Sequence, residues 1–251
     1  MSVLVGRPAP GVARIRIDRA DARNAIDVGV RAGLKTALAE AGEDAEVRAL
    51  LLGGAGGMFS AGGDLPSLVG LAEDAAYARL CDGHEIVRAL WTFRKPVVAA
   101  VEKFAIGAGA GLALLADRVV MGAGARFGFP FARLGLVPDW GLSATLARRT
   151  GAEPAARLFA DAASIAAPEA LALGIADEIV ADGEVTDRSL ALAVTLAATA
   201  PEAFARTKAR LRGDVALLDL EREAREQAAC LVSPEFAEGY AAFREKREPK
   251  F

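Results

Sequence analysis

The chain is poor in the residues that build metal centres, redox pairs and disulfide frameworks. It has one histidine, His84, and two cysteines, Cys81 and Cys230, in 251 residues. The cysteines lie far apart and form no metal or redox pattern. A reducing cytoplasm is therefore the expected compartment, and no metal ligand set is expected. An excess of one charge is also lacking. Thirty Lys and Arg stand against 33 Asp and Glu, a formal net charge of −3, and the basic residues are scattered. This argues against nucleic acid or an acidic membrane surface as the main partner. No apolar stretch reaches the ~20 residues of a membrane span, because Gly, Asp, Arg or Lys breaks each Ala/Val/Leu-rich segment. The opening Met1–Arg7 lacks the charged and apolar regions of a signal peptide. Neither Gly-x-x-x-x-Gly-Lys-Ser/Thr nor a Gly-x-Ser-x-Gly elbow occurs, which disfavours a P-loop protein and a serine hydrolase.

What is present is core material. Hydrophobic residues make up 53% of the chain and charged residues 25%, a globular composition. Val12–Ile17 alternates as a strand does. Asp27 can cap a helix running to about Gly42. Val47–Leu52 and Pro96–Val101 are nearly continuous apolar runs, expected as strands buried on both faces. Gly53–Gly57 is a loop, Asp64 starts a helical region, and Glu73–Phe93 is a longer helix. Gly107–Ala116 is expected as a helix, with strands at Asp117–Met121 and Arg126–Phe127. The alternation of strand and helix argues for an α/β protein with layered sheets. From about Glu184 the pattern turns helical, over Val185–Ala200, Pro201–Arg212, Val215–Ala229 and Pro234–Lys246. The expected organisation is a core of residues 1–184 and a C-terminal helical region, 185–251. Such a region usually packs onto a neighbour or a sister subunit.

Three segments carry chemistry. Phe59-Ser60-Ala61-Gly62-Gly63-Asp64 and Ala105-Ile106-Gly107-Ala108-Gly109-Ala110-Gly111 are rich in glycine. The second follows a strand and opens a helix, where the first N–H groups have no internal partner and the dipole is positive. Two such donors converging on one carbonyl would stabilise an enolate or oxyanion. Tight helix–strand packing would favour the same glycines equally well. The third segment is the apolar run Phe127–Pro138, which ends on Asp139, the only acid between Asp117 and Glu153. That carboxylate is either a proton carrier in a dry pocket or a turn residue after Pro138. His84 lies in a polar helix, so a surface position is expected. Asp64 is expected to cap a helix, and Asp117 to start a strand and pair locally.

The chain resembles the crotonase, or enoyl-CoA hydratase/isomerase, superfamily over nearly its full length. The resemblance rests on Arg23-Asn24-Ala25, Phe59–Asp64, Lys95–Val101, Gly107–Asp117, Phe127–Gly141 and Glu169–Ile175. It implies a crotonase (ClpP-like) α/β fold, with surrounding helices and a C-terminal helical trimerisation region. It also implies an acyl-CoA substrate, with CoA as part of the substrate and no metal or redox cofactor. The thioester oxygen would be held by the N–H groups of Gly63 and Ala108. Arg23, Ala25, Ala61, Gly62, Gly63, Asp64 and Leu65 are implied CoA and substrate contacts, and Phe131 and Trp140 would line the acyl pocket. A homotrimer or dimer of trimers is implied as well.

The departures from the family pattern bear on activity. The two glutamates with which the hydratases of the family grip water fall at Gly111 and Phe131. Val137-Pro138-Asp139-Trp140-Gly141 resembles the isomerase branch, including the Δ3,Δ2-enoyl-CoA and ring-epoxy phenylacetyl-CoA isomerases, which use a single Asp or Glu there. Glu102-Lys103 stands where the family usually has an Asn-Gly turn. The expected activity is enoyl-CoA isomerisation with Asp139 as proton shuttle. The alternatives are a hydratase-like lyase, a dehalogenase-like enzyme with a nucleophilic aspartate, and a non-catalytic acyl-CoA-binding protein.

Overall fold

The computed structural model describes residues 2–251. In chain order the elements are β1 (Val3–Ala9), β2 (Val12–Ile17), α1 (Val28–Glu43), β3 (Ala49–Gly54), α2 (Glu73–Trp91), β4 (Val97–Val101), β5 (Phe104–Ile106) and α3 (Ala108–Leu114). There follow β6 (Arg118–Gly122), β7 (Arg126–Gly128), α4 (Leu142–Thr150), α5 (Ala152–Ala160), β8 (Ser164–Ala166), α6 (Ala167–Ala172) and β9 (Glu178–Val180). The chain ends in α7 (Val185–Ala197), α8 (Pro201–Arg212), α9 (Leu220–Leu231) and α10 (Pro234–Glu245).

The main sheet has the order β1-β2-β3-β4-β6-β9. Only β1 and β2 are antiparallel; every other pairing is parallel. Alternate residues of the central strands face two separate cores. Leu50, Leu52, Val97, Ala99, Val101, Val119 and Met121 pack on the side of α1, α2 and α3. Ala49, Leu51, Val98, Ala100 and Val120 pack against Val185, Leu192 and Ala193 of α7. A strand covered on both faces has no polar side, which is why these segments are continuous apolar runs. The smaller sheet, β5-β7-β8, stands beside the main one and carries the start of α3.

Asp27 caps α1, its Oδ1 accepting from Val30 N at 2.8 Å. The strand expected at Val47–Leu52 instead runs Ala49–Gly54, because β2 pairs with it from Val12–Ala49 through Ile17–Gly54. Backbone register, not side-chain polarity, sets its ends. The helix expected at Val215–Ala229 is broken. A 3-10 turn at Val215–Leu218 ends on Asp219 in the left-handed region (φ 47°), and α9 begins after it.

The C-terminal helices pack on their own chain. Ala224, Ala228 and Leu231 of α9 and Phe236 of α10 meet Ala76 and Leu80 of α2. Asp117 does not pair locally. Its carboxylate binds Lys208 Nζ at 2.6 Å, Arg212 Nη2 at 2.8 Å and Val97 N at 2.9 Å. This pins α8 to the junction of β4 and β6. Burial there pushes the Lys208 ammonium down to about 8, with the Asp117 charge opposing the shift.

Candidate active site

The two glycine-rich segments are brought together by a short ladder. Ser60 and Ala105 form a parallel bridge, with Ser60 N donating to Phe104 O and Ile106 N donating to Ser60 O. Asn24, fully buried, fixes the preceding loop by donating to Ala55 O and Met58 O at 2.9 and 2.8 Å. The Ser60 hydroxyl donates to Asn24 O at 2.8 Å and accepts from Gly62 N at 3.1 Å. It is a brace and not a nucleophile. Gly62 sits at φ 91° against the start of α3; a Cβ there would strike the Ile106 carbonyl and lie 3.3 Å from Ala108 N. Only glycine allows this approach.

Most N–H groups of the loop are engaged. Ala61 N donates to Arg23 O, Gly62 N to Ser60 Oγ, and Asp64 N to Ile26 O. Gly107 N donates to Gly128 O. Among the described residues, Gly63 and Ala108 are the loop positions whose N–H groups lack an acceptor while lining the cavity. In the Glu102-Lys103 turn that precedes the second loop, Lys103 is in the left-handed region (φ 52°) and its carbonyl accepts from Arg126 N.

The cavity measures about 210 Å³ and has mostly apolar walls. Of the expected site residues, Arg23, Ala61, Gly63, Leu65, Ala108, Phe131, Asp139 and Trp140 line it. Ala25, Gly62 and Asp64 do not. Ala25 is buried and Gly62 supports the loop from beneath. The Asp64 side chain makes no capping bond; it takes a salt bridge from Arg19 Nη1 at 2.7 Å.

Among the described residues, Asp139 is the one carboxylate lining the cavity. Its Oδ1 is shielded from solvent and has no hydrogen-bond partner among the described residues, while Oδ2 accepts from Gln227 Nε2 at 3.3 Å. Burial, then the nearby Glu223 charge, push this carboxyl up to about 7; the Gln227 bond works against them. Such a group exchanges protons readily at neutral pH. The segment around it is held from α9. Gln227 Oε1 accepts from Val137 N at 3.0 Å, and Glu223 Oε2 accepts from Gly141 N at 3.0 Å.

His84 is not on the surface. It is 1% exposed on the buried face of α2, with Nε2 2.7 Å from Glu223 Oε1. Its neighbours Asp82 and Glu85 made the helix look polar, but they lie on other faces. The sequence reading missed Glu223, Gln227 and Arg79. A signal existed for the first two. They are spaced by four residues among Leu220, Ala224, Ala228 and Leu231, so two polar groups interrupt the buried face of α9.

The positions of the hydratase glutamates are filled differently. A Cβ at Gly111 would lie 2.7 Å from Trp140 Cβ and 3.3 Å from Trp140 O. Trp140 itself takes a left-handed backbone (φ 59°) and lays its ring over Gly83. Phe131 is buried and meets Phe159 edge-on at 6.2 Å.

The enoyl-CoA hydratase/isomerase family matches residues 8–251. The chain belongs to this family. It is 33% identical to the 2,3-dehydroadipyl-CoA hydratase of Escherichia coli K12 over 100% of this chain and 99% of that protein. It is 36% identical to a probable enoyl-CoA hydratase of Rhodobacter capsulatus, covering 96% and 94%. An enoyl-CoA hydratase crystal structure from Mycobacterium avium subsp. paratuberculosis superimposes with a TM-score of 0.89 at 32% identity, over 100% and 98% of the two chains. An enoyl-CoA hydratase/isomerase from Pseudoalteromonas atlantica gives 0.88 at 31% identity, over the whole of both. The enzyme therefore has the crotonase fold and acts within the acyl-CoA chemistry of the hydratase/isomerase family.

Proposed function

We propose that this member of the family is an enoyl-CoA isomerase. Supporting this is one observation: among the described residues, Asp139 is the sole carboxylate in a cavity that also presents the unpaired N–H groups of Gly63 and Ala108. A 3-enoyl thioester bound there places its carbonyl oxygen on those two donors. The Asp139 carboxylate takes the proton from the carbon next to the thioester, and the electron pair moves into the carbonyl to give a dienolate. The two N–H groups stabilise its oxygen. The same carboxyl returns the proton two carbons along, leaving the 2-enoyl thioester. No further acid is needed, and CoA enters only as part of the substrate, with no metal or redox cofactor. Arg23, Ala61 and Leu65 flank the CoA arm, and Phe131 and Trp140 the acyl chain.

A hydratase reading draws on the names of the relatives. Hydration requires one group to activate water and another to protonate carbon. The packing of Trp140 on Gly111, and of Phe131 on Phe159, supports the single-carboxylate reading instead. The discriminating experiment incubates a 3-enoyl-CoA in heavy water. Formation of the 2-enoyl thioester, with the transferred hydrogen (the substrate's own or deuterium from solvent) two carbons along from the carbon next to the thioester, and its loss on Asp139→Asn, supports the shuttle; no isomerisation by the native enzyme sinks it. We further infer a cytoplasmic homotrimer or dimer of trimers. Exposed Leu211, Leu217, Val232 and Phe243 in the C-terminal helical region support association, and equilibrium sedimentation tests it.

A further inference from the structure

Three arginines line the cavity, Arg23, Arg31 and Arg79. Two have evident settings. Arg31 Nε donates to Asp82 at 2.5 Å. Arg23 is exposed at the mouth, with its carbonyl holding Ala61 N. Arg79 differs. Among the described residues it forms no hydrogen bond and no ion pair; only burial and the fields of Arg31, Asp64, Asp27 and Asp139 act on it. Arg79 is part-buried in the cavity wall, and a guanidinium partly withdrawn from water without a bonded partner loses some of its hydration uncompensated. Its donors match a carboxylate in a paired, planar arrangement. An anion carried in by a ligand would satisfy it and also relieve its repulsion by Arg31.

The position of Arg79 identifies which part of the ligand carries that anion. Its neighbour on α2, Leu80, forms the apolar wall with Leu68, Leu136 and Leu231. Asp139 and Gln227 line the same cavity as this wall and as Gly63 and Ala108. An acyl chain that starts at those two N–H groups and passes Asp139 would meet it. The phosphates of CoA are separated from the thioester by the whole pantetheine arm, and Arg23 at the mouth is free to meet them. We infer that Arg79 selects acyl-CoA substrates whose acyl chain ends in a carboxylate. The inference rests on the cavity being an acyl-CoA site, but not on the isomerase chemistry.

Binding is the right test, since it needs no turnover. The full-length protein is titrated calorimetrically with succinyl-, glutaryl- and adipoyl-CoA, and with butyryl-, pentanoyl- and hexanoyl-CoA of matching length. At least one acidic thioester should bind about 10- to 100-fold tighter than its methyl-ended counterpart, the usual worth of a hydrogen bond to a charged group. Arg79→Gln should bring that ratio close to one, and Arg79→Lys should keep part of it. A ratio near one for all three pairs in the native protein overturns the proposal. So does an equal loss for both members of a pair and for free CoA on Arg79→Gln, which would make Arg79 a phosphate contact or a packing residue. If no CoA ester binds at all, the acyl-CoA reading of the cavity fails and carries this one with it. A preference for the acidic thioester without any isomerisation upholds the role of Arg79 and removes the isomerase reading alone.

Discussion

Gln227 reaches across from α9 and donates to Asp139 Oδ2 at 3.3 Å, leaving Oδ1 shielded and unpartnered. The carboxyl is therefore held at one oxygen and keeps an unused acceptor at the other. Asp139→Asn should retain the fold and CoA binding while turnover falls by roughly 10²–10⁴-fold. The same variant has a stability signature. A carboxyl whose folded pKa is raised to about 7 favours the protonated folded state. Its contribution is fully present below the unfolded value of about 3.9 and is lost as pH rises through about 7. The melting temperature of Asp139→Asn should thus gain on the native enzyme as pH rises from 4 to 8, by about 2–4 °C for each kcal/mol recovered. Scanning calorimetry at the two pH values reads this; a gain that is the same at both would mean Asp139 titrates normally.

Glu223 supplies part of the upward shift at Asp139 and also binds Gly141 N. Isomerisation requires the ionised carboxylate, so kcat/KM should rise with pH through about 7. Glu223→Gln keeps an acceptor for Gly141 N but removes the charge. The midpoint of its pH profile should move to lower pH. A residue that served only packing would lower the rate and leave the midpoint in place.

Gly111 has no room for the glutamate of a hydratase. Gly111→Glu drives its Cβ to 2.7 Å from Trp140 Cβ and buries a second carboxylate near Asp139. Overpacking alone costs ~1–3 kcal/mol. Urea unfolding should show at least that loss, and hydration of crotonyl-CoA should not increase. A stable variant with new hydratase activity would show that Trp140 yields easily.

The two glycine-rich loops and Asp139 were legible in the sequence because each is local. Glycine is required where Gly62 meets the Ile106 carbonyl, and an acid at the end of the run Phe127–Pro138 stands out in any reading. What was not legible depends on distant partners. His84 meets Glu223, 139 residues away, and Asp117 meets Lys208 and Arg212, 91 and 95 residues away. No local pattern encodes such pairs. Strand β1 carries Gly6 and Pro8, which blur its alternation, and β5, β8 and β9 have three residues each, too short for a period to show. The parallel strands were visible as apolar runs, but their ends followed register with neighbours.

Asp117 carries a structural prediction of its own. Asp117→Ala leaves Lys208 and Arg212 buried without their counter-charge and removes the acceptor for Val97 N. Breaking one side of a buried ionic cluster costs ~3–5 kcal/mol. Denaturant unfolding should register that loss. A change under about 1 kcal/mol, the scale of an exposed pair, would place the cluster in effective contact with solvent.

The single-carboxylate shuttle is tested most directly by giving the purified enzyme trans-3-hexenoyl-CoA and crotonyl-CoA in parallel assays. The account expects the 3-enoyl thioester to become the 2-enoyl thioester, with gain of enoyl absorbance, while crotonyl-CoA is hydrated slowly or not at all. Rapid conversion of crotonyl-CoA to its 3-hydroxyacyl product, with the 3-enoyl thioester left unchanged, would contradict it.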